Sequence, residues 1–151
     1  MSTEENKAIV RRFFEVLELD QRLPEELLGP GFTYHVAGSP PKDLKASKQR
    51  MGVFSAAFSD IKRIEEDMVA EGDRVAFRSR LEMTHTGEFM GVASSDEQIS
   101  IVEMGIMRIA NGKVAEMWGL LDTLGLMQQI GAIPSPGQPR TQAARASPVS
   151  E

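Results

Sequence analysis

Three side chains stand out as able to move protons. Glu103 lies in an apolar run, Ile99–Ile109, on the face that also carries Ile101, Gly105 and Met107. Burial in an apolar pocket favours the protonated form of a carboxylate, as a general base working near neutrality requires. Two other readings stay open for it, a glutamate paired with an arginine and one turned outward by a bulge. His35 and His85 are the only histidines, and an imidazole titrates close enough to pH 7 to shuttle a proton. His35 sits on a short extended run, and His85 shares the apolar face of its strand or orders the loop after it. Tyr34 could donate a hydrogen bond to an enolate oxygen. Adjacent strand residues point to opposite faces, so at most one of Tyr34 and His35 lines a pocket, and His35 is the one preferred here. Asp122 precedes a short helix and reads as its N-cap.

Other chemistry is excluded by what is missing. There is no cysteine, hence no thiolate nucleophile, disulfide or thiolate metal site. Two histidines rule out a multi-histidine metal centre, and no metal is expected. No phosphate-binding glycine loop, nucleophile elbow or zinc-binding helix motif occurs. Arg78 and Arg80 fall on the polar face of their strand, so the Asp–Arg–Asp group of an epoxide-opening site is not evident. The nine methionines read as ordinary core. A net charge of −5 with no basic stripe argues against nucleic acid. No apolar run approaches the ~20 residues of a membrane span, and Met1–Glu5 is polar, so no membrane association is expected and the cytoplasm is the expected location.

The elements that must position these groups follow from periodicity. Ser2 and Glu5 have capping-box spacing before an apolar stripe of Ile9, Phe13, Val16 and Leu17. A second short helix is expected between Pro24 and Gly29-Pro30, an extended run over 32–36, and a third helix over 43–58. The period then changes to two. Strands are expected over 61–71, 74–86, 99–109 and 113–121, with Asn111-Gly112 as a hairpin turn. A short helix over 123–130 ends at Gly131. The expected fold is α+β, a cone-shaped curved antiparallel sheet packed on three N-terminal helices with a short C-terminal helix, occupying residues 1–131. Residues 132–151, rich in Pro, Ser and Ala, read as a disordered tail. Both faces of the 99–109 strand are apolar, which predicts a homodimer through the outer sheet face, with Trp118 and Leu120 contributing.

The segments Ile9-Val10-Arg11-Arg12-Phe13-Phe14, Phe32-x-x-His35, Ala70 through Val75, Thr84 through Phe89, Arg108 through Val114 and Trp118 through Gly131 resemble, in order and spacing, the SnoaL-like polyketide cyclases of the nuclear-transport-factor-2-like superfamily. The resemblance implies the cone fold, a hydrophobic pocket, dimerisation and cofactor-free intramolecular aldol closure of a polyketide ester. It also implies an aspartate acid/base on the last strand and a histidine on its neighbour. Those positions are Gly119 and Gly105 here. A strict two-residue Asn111-Gly112 turn places Gly105 opposite Trp118, whereas one bulged residue puts both glycines on the pocket face, the register the resemblance favours. The glycines are either bends of a curved sheet or room for a bulkier ligand. The expected site is therefore Glu103 as base with His35 or His85. The expected substrate wall is Phe77, Leu81, Met83, Ile101, Gly105, Met107, Gly119 and Trp118 around a small hydrophobic carbonyl compound. The expected function is a cofactor-independent cyclase or isomerase acting by enolisation. The alternative is a non-catalytic small-molecule-binding member of the family, since both usual catalytic positions are glycine.

Overall fold

The computed structural model describes residues 1–137; the expectation for residues 138–151 lies outside them. Helix α1 (Thr3–Asp20) starts from the capping box foreseen above: Glu5 N–H donates to Ser2 Oγ at 3.1 Å and Ser2 N–H to Glu5 Oε2 at 2.9 Å. Such a cap is worth about 1 kcal/mol. The helix buries Val10, Phe13, Phe14 and Val16 and packs across strands β2 and β3, defined below. The expected second helix is a single 3-10 turn, Glu25–Leu27, because the chain is already extended from Leu28. Strand β1 (Leu28–Val36) follows, then α2 (Leu44–Ala57), whose Asp43 cap accepts from Ala46 N–H at 2.8 Å.

Strands β2 (Phe58–Glu71), β3 (Arg74–His85), β4 (Gln98–Ala110) and β5 (Lys113–Leu121) form successive antiparallel pairs. The sheet order is β1-β5-β4-β3-β2, and β1 joins β5 in parallel, so the sheet is mixed rather than wholly antiparallel. Register shifts in β1, twice in β2 and once between β4 and β5 bend it around the helices. In the β4–β5 turn both Asn111 (φ 51°) and Gly112 (φ 74°) have positive φ, as a type I′ hairpin requires. Ala115 is then the extra residue of a bulge, since Ile109 pairs with Val114 but Arg108 with Glu116. This sets Gly105 opposite Gly119.

Asp122 caps α3 (Thr123–Gln129) by accepting from Gly125 N–H at 2.9 Å. The chain does not leave the fold at residue 131. Ala132 N–H bonds back to Met127 O at 2.9 Å, and Ala132 packs against the core. No helix among the described residues is long and apolar enough to cross a membrane. The interior forms two clusters. One gathers Phe13, Phe14, Phe32, Phe77 and Met107 beneath α1; the other gathers Phe58, Leu81, Met83, Ile101 and Leu126 near α3. Helix α2 buries only Ser47 and Ala57. Phe54 packs on Phe58 and Phe89, while Ser47, Arg50 and Met51 border open space between the helix and the sheet.

Candidate functional site

That space is a cavity of about 150 Å³ lined by members of both clusters, among them Phe13, Phe32, Phe54 and Leu81. Its polar groups are few: Tyr34 from β1, Ser47, Arg50 and Ser55 from α2, Arg63 from β2, Glu103 from β4, and Glu18 and Gln21 at the end of α1. An apolar volume with a few fixed polar groups is the usual form of a small-molecule site.

Glu103 faces this cavity, its side chain 13% exposed, and both carboxylate oxygens are held. Arg63 Nη1 donates to Oε1 at 3.1 Å and Nη2 to Oε2 at 3.2 Å. The Arg63 guanidinium in turn lies 3.9 Å from the Phe14 ring centroid. This is the arginine-paired reading given above, and the two-pronged pair fixes the carboxylate in place with its remaining lone pairs open to a ligand proton.

Of Tyr34 and His35, it is Tyr34 that faces the cavity. Burial, and then the Glu103 charge, hold its phenol above the ordinary tyrosine range, against the opposing pull of Arg50 and Arg63. At neutral pH it is therefore a proton donor. The two glycines explain how it fits. A Cβ on Gly119 would lie 2.8 Å from the Tyr34 hydroxyl, and a Cβ on Gly105 would lie 2.5 Å from the Phe77 ring and 2.3 Å from the Trp118 carbonyl oxygen. Both glycines face inward, and aromatic rings fill the space they leave. The room they create is taken by the protein and not left for a ligand.

His35 is on the opposite, outer face, because β1 alternates Phe32, Tyr34 and Val36 inward against Thr33 and His35 outward. There it stacks on Trp118 (5.2 Å, 10°) and its Nε2 lies 2.6 Å from Glu116 Oε2. Arg108 also donates to Glu116. Trp118 is likewise outside the cavity, with Arg74 5.0 Å from its ring centroid. The His35 hydrogen bond first, then Arg108, holds the Glu116 carboxyl below the ordinary value of 4.5. A lowered carboxylate contributes stability above its unfolded pKa and loses it as pH falls through its folded one. Glu116→Gln is expected to flatten the acid limb of the stability profile below that ordinary value, as read by thermal melts over a pH series.

His85 is fully buried, but beside Phe58 and outside the cavity. Its Nδ1 bonds Ser95, Asp96 N–H donates to its carbonyl, and its own N–H donates to Glu97 O. It orders the loop that follows, the second of the two readings given above. Of the expected wall, Leu81 and Gly119 line the cavity. Phe77, Met83, Ile101 and Met107 are packed into the core clusters instead, and Gly105 is covered by Phe77. Arg50, Arg63 and Ser47 were not among the expected site residues. Alternation of Phe32, Tyr34 and Val36 was the available signal for Tyr34. Among the described residues no three His, Asp or Glu side chains group as a metal would need.

The SnoaL-like polyketide cyclase model matches residues 7–130. Nogalonic acid methyl ester cyclase of Streptomyces nogalater is 29% identical over 115 residues, covering 76% of this chain and 84% of that enzyme. Among solved structures, AclR of Streptomyces galilaeus, ascribed a hydroxylase role, superposes with a TM-score of 0.81 at 26% identity, covering 88% of this chain and 100% of that one. IdmH of Streptomyces antibioticus, ascribed a polyketide cyclase role, gives 0.72 at 25% identity over 83% and 98% of the two chains. With the α+β sheet-and-helix framework and the match along nearly all of the described residues in agreement, the chain belongs to the SnoaL-like polyketide cyclase family.

Proposed function

We propose that this chain is a cofactor-independent cyclase or isomerase that enolises a small hydrophobic carbonyl compound in the α2–sheet cavity. The observation that carries the reading is that a fixed carboxylate, Glu103, and a protonated phenol, Tyr34, face the same apolar space. Glu103 accepts the proton from the carbon next to the carbonyl as that C–H bond breaks. Its electron pair becomes the enolate, whose oxygen takes a hydrogen bond from the Tyr34 hydroxyl. In a cyclisation the enolate carbon then bonds a second carbonyl carbon of the same molecule, and the new alkoxide takes the proton back from Glu103. Atoms and charge balance without an oxidant or reductant. The family and its named ester cyclase support a polyketide as the natural substrate class.

2-Tetralone, an enolisable bicyclic ketone, tests this without the natural substrate. The protein in D2O is expected to speed deuterium uptake next to the carbonyl well above buffer, followed by NMR. Tyr34→Phe is expected to lower that rate about 10²-fold, the loss typical of one oxyanion donor. A wild-type rate equal to buffer would leave a binding-only family member as the better reading.

The outer sheet face supports a second part of the proposal, a homodimer. Val69, Met104 and Leu120 are 63%, 48% and 57% exposed there beside Ile106 and Trp118. An apolar patch of this kind on a water-facing sheet calls for a cover, and a second copy presents the same self-complementary surface. Sedimentation equilibrium should give a dimer, and Met104→Glu with Leu120→Glu a monomer; a wild-type monomer at micromolar concentration would contradict it.

A further inference from the structure

Arg50 differs from every other described arginine. Arg11, Arg12, Arg22, Arg63, Arg74, Arg78, Arg80 and Arg108 each form an ion pair with a carboxylate. Among the described residues Arg50 has none, although it lines the cavity, and its guanidinium faces the Tyr34 phenol. Three residues earlier on the same face of α2, Ser47 is buried and also lines the cavity, and its Oγ has no hydrogen-bond partner. A buried hydroxyl without a partner is costly, and native structures normally satisfy such groups. Arg50 is exposed, so the pair spans from the solvent side of the cavity to its interior. Of the other cavity charges, Glu103 is held by Arg63, and Glu18 at the end of α1 forms no ion pair with Arg50.

We propose that Ser47 and Arg50 form a subsite for a carboxylate carried by the ligand, whose apolar body fills the cavity beyond. Both groups donate. A guanidinium fork matches a carboxylate in two hydrogen bonds, and a serine hydroxyl supplies a third. The inference rests on the enolisation reading of the same cavity and narrows its substrate class to hydrophobic ketones bearing a carboxylate.

Paired probes isolate the charge. Calorimetric titration at pH 7 with 2-naphthoate and with methyl 2-naphthoate compares the same rings with and without the anion. The wild-type protein is expected to bind the acid about tenfold more tightly than the ester, the order of a charge-assisted pair at a partly open site. Arg50→Gln is expected to bring the acid down to the level of the ester, and Arg50→Lys to keep part of the preference, since charge survives but the fork is lost. Ser47→Ala is expected to weaken the acid about threefold with little change for the ester. Thermal melts check that each variant is folded. Equal wild-type affinities for acid and ester would overturn the proposal, as would a preference that persists in Arg50→Gln. Affinity is read here without turnover, so loss of the acid preference and loss of deuterium exchange are separate failures.

Discussion

Glu103→Gln is expected to lower deuterium exchange into 2-tetralone at least about 10²-fold, the contribution typical of a positioned general base. The amide keeps the shape of the carboxylate and one acceptor oxygen for Arg63, but it cannot take a proton. Stability should fall as well. Arg63 is 10% exposed and would keep its charge with only a neutral partner, a loss of roughly 1–3 kcal/mol for a partly desolvated pair. Phe14 beneath the guanidinium offsets part of that. Urea unfolding separates the two effects: a folded variant with its exchange gone supports the assignment, and one that exchanges at the wild-type rate removes Glu103 from the chemistry.

The second large effect concerns the glycines, and the two should behave differently. At Gly105 a Cβ meets the Trp118 carbonyl oxygen at 2.3 Å and the Phe77 ring at 2.5 Å. A backbone oxygen cannot swing aside, and Phe77 is packed against Phe14 at 4.8 Å. Gly105→Ala is therefore expected to cost roughly 3 kcal/mol or more, at the upper end for overpacking. At Gly119 the nearest atom, 2.8 Å away, is the hydroxyl at the tip of Tyr34. That side chain can move, so Gly119→Ala should cost only about 1 kcal/mol while displacing the phenol and lowering exchange nearly as far as Tyr34→Phe does. Urea midpoints and exchange rates of the two variants, measured side by side, check this. A Gly105→Ala protein as stable as wild type would mean the strands are not seated in the register seen here.

The difference between the glycines was only partly legible in the sequence. Strand parity puts Glu103 with Ile101 and Met107 on the inner face, and that holds. The Asn111-Gly112 turn is a strong local signal, but the bulge at Ala115 follows from pairing along the whole hairpin. The expected second helix fails for a related reason: Pro24 and the acidic residues after it favour a helical start, yet Leu28 onward is taken into the sheet beside β5. The preference for His35 over Tyr34 fails because Phe32 and Val36 place Tyr34 on the buried face. Parity was the better guide. Arg63 and Arg50 carry no local signal, since their roles arise only where Arg63 reaches across β3 to Glu103 on β4 and where α2 crosses β1. The His85 loop contacts likewise join residues ten positions apart.

A crystal structure with 2-naphthol, the stable aromatic counterpart of the 2-tetralone enol, tests the joint role of Glu103 and Tyr34 most directly. The naphthol oxygen is expected within about 3 Å of the Tyr34 hydroxyl, and carbon 1 within about 3.5 Å of a Glu103 oxygen. One ring should be inside the cavity and the other toward Arg50, since about 150 Å³ is the size of space that holds one benzene ring. Naphthol bound in the cavity with its oxygen turned away from Tyr34, or seated only on the outer face beside Trp118, would contradict it.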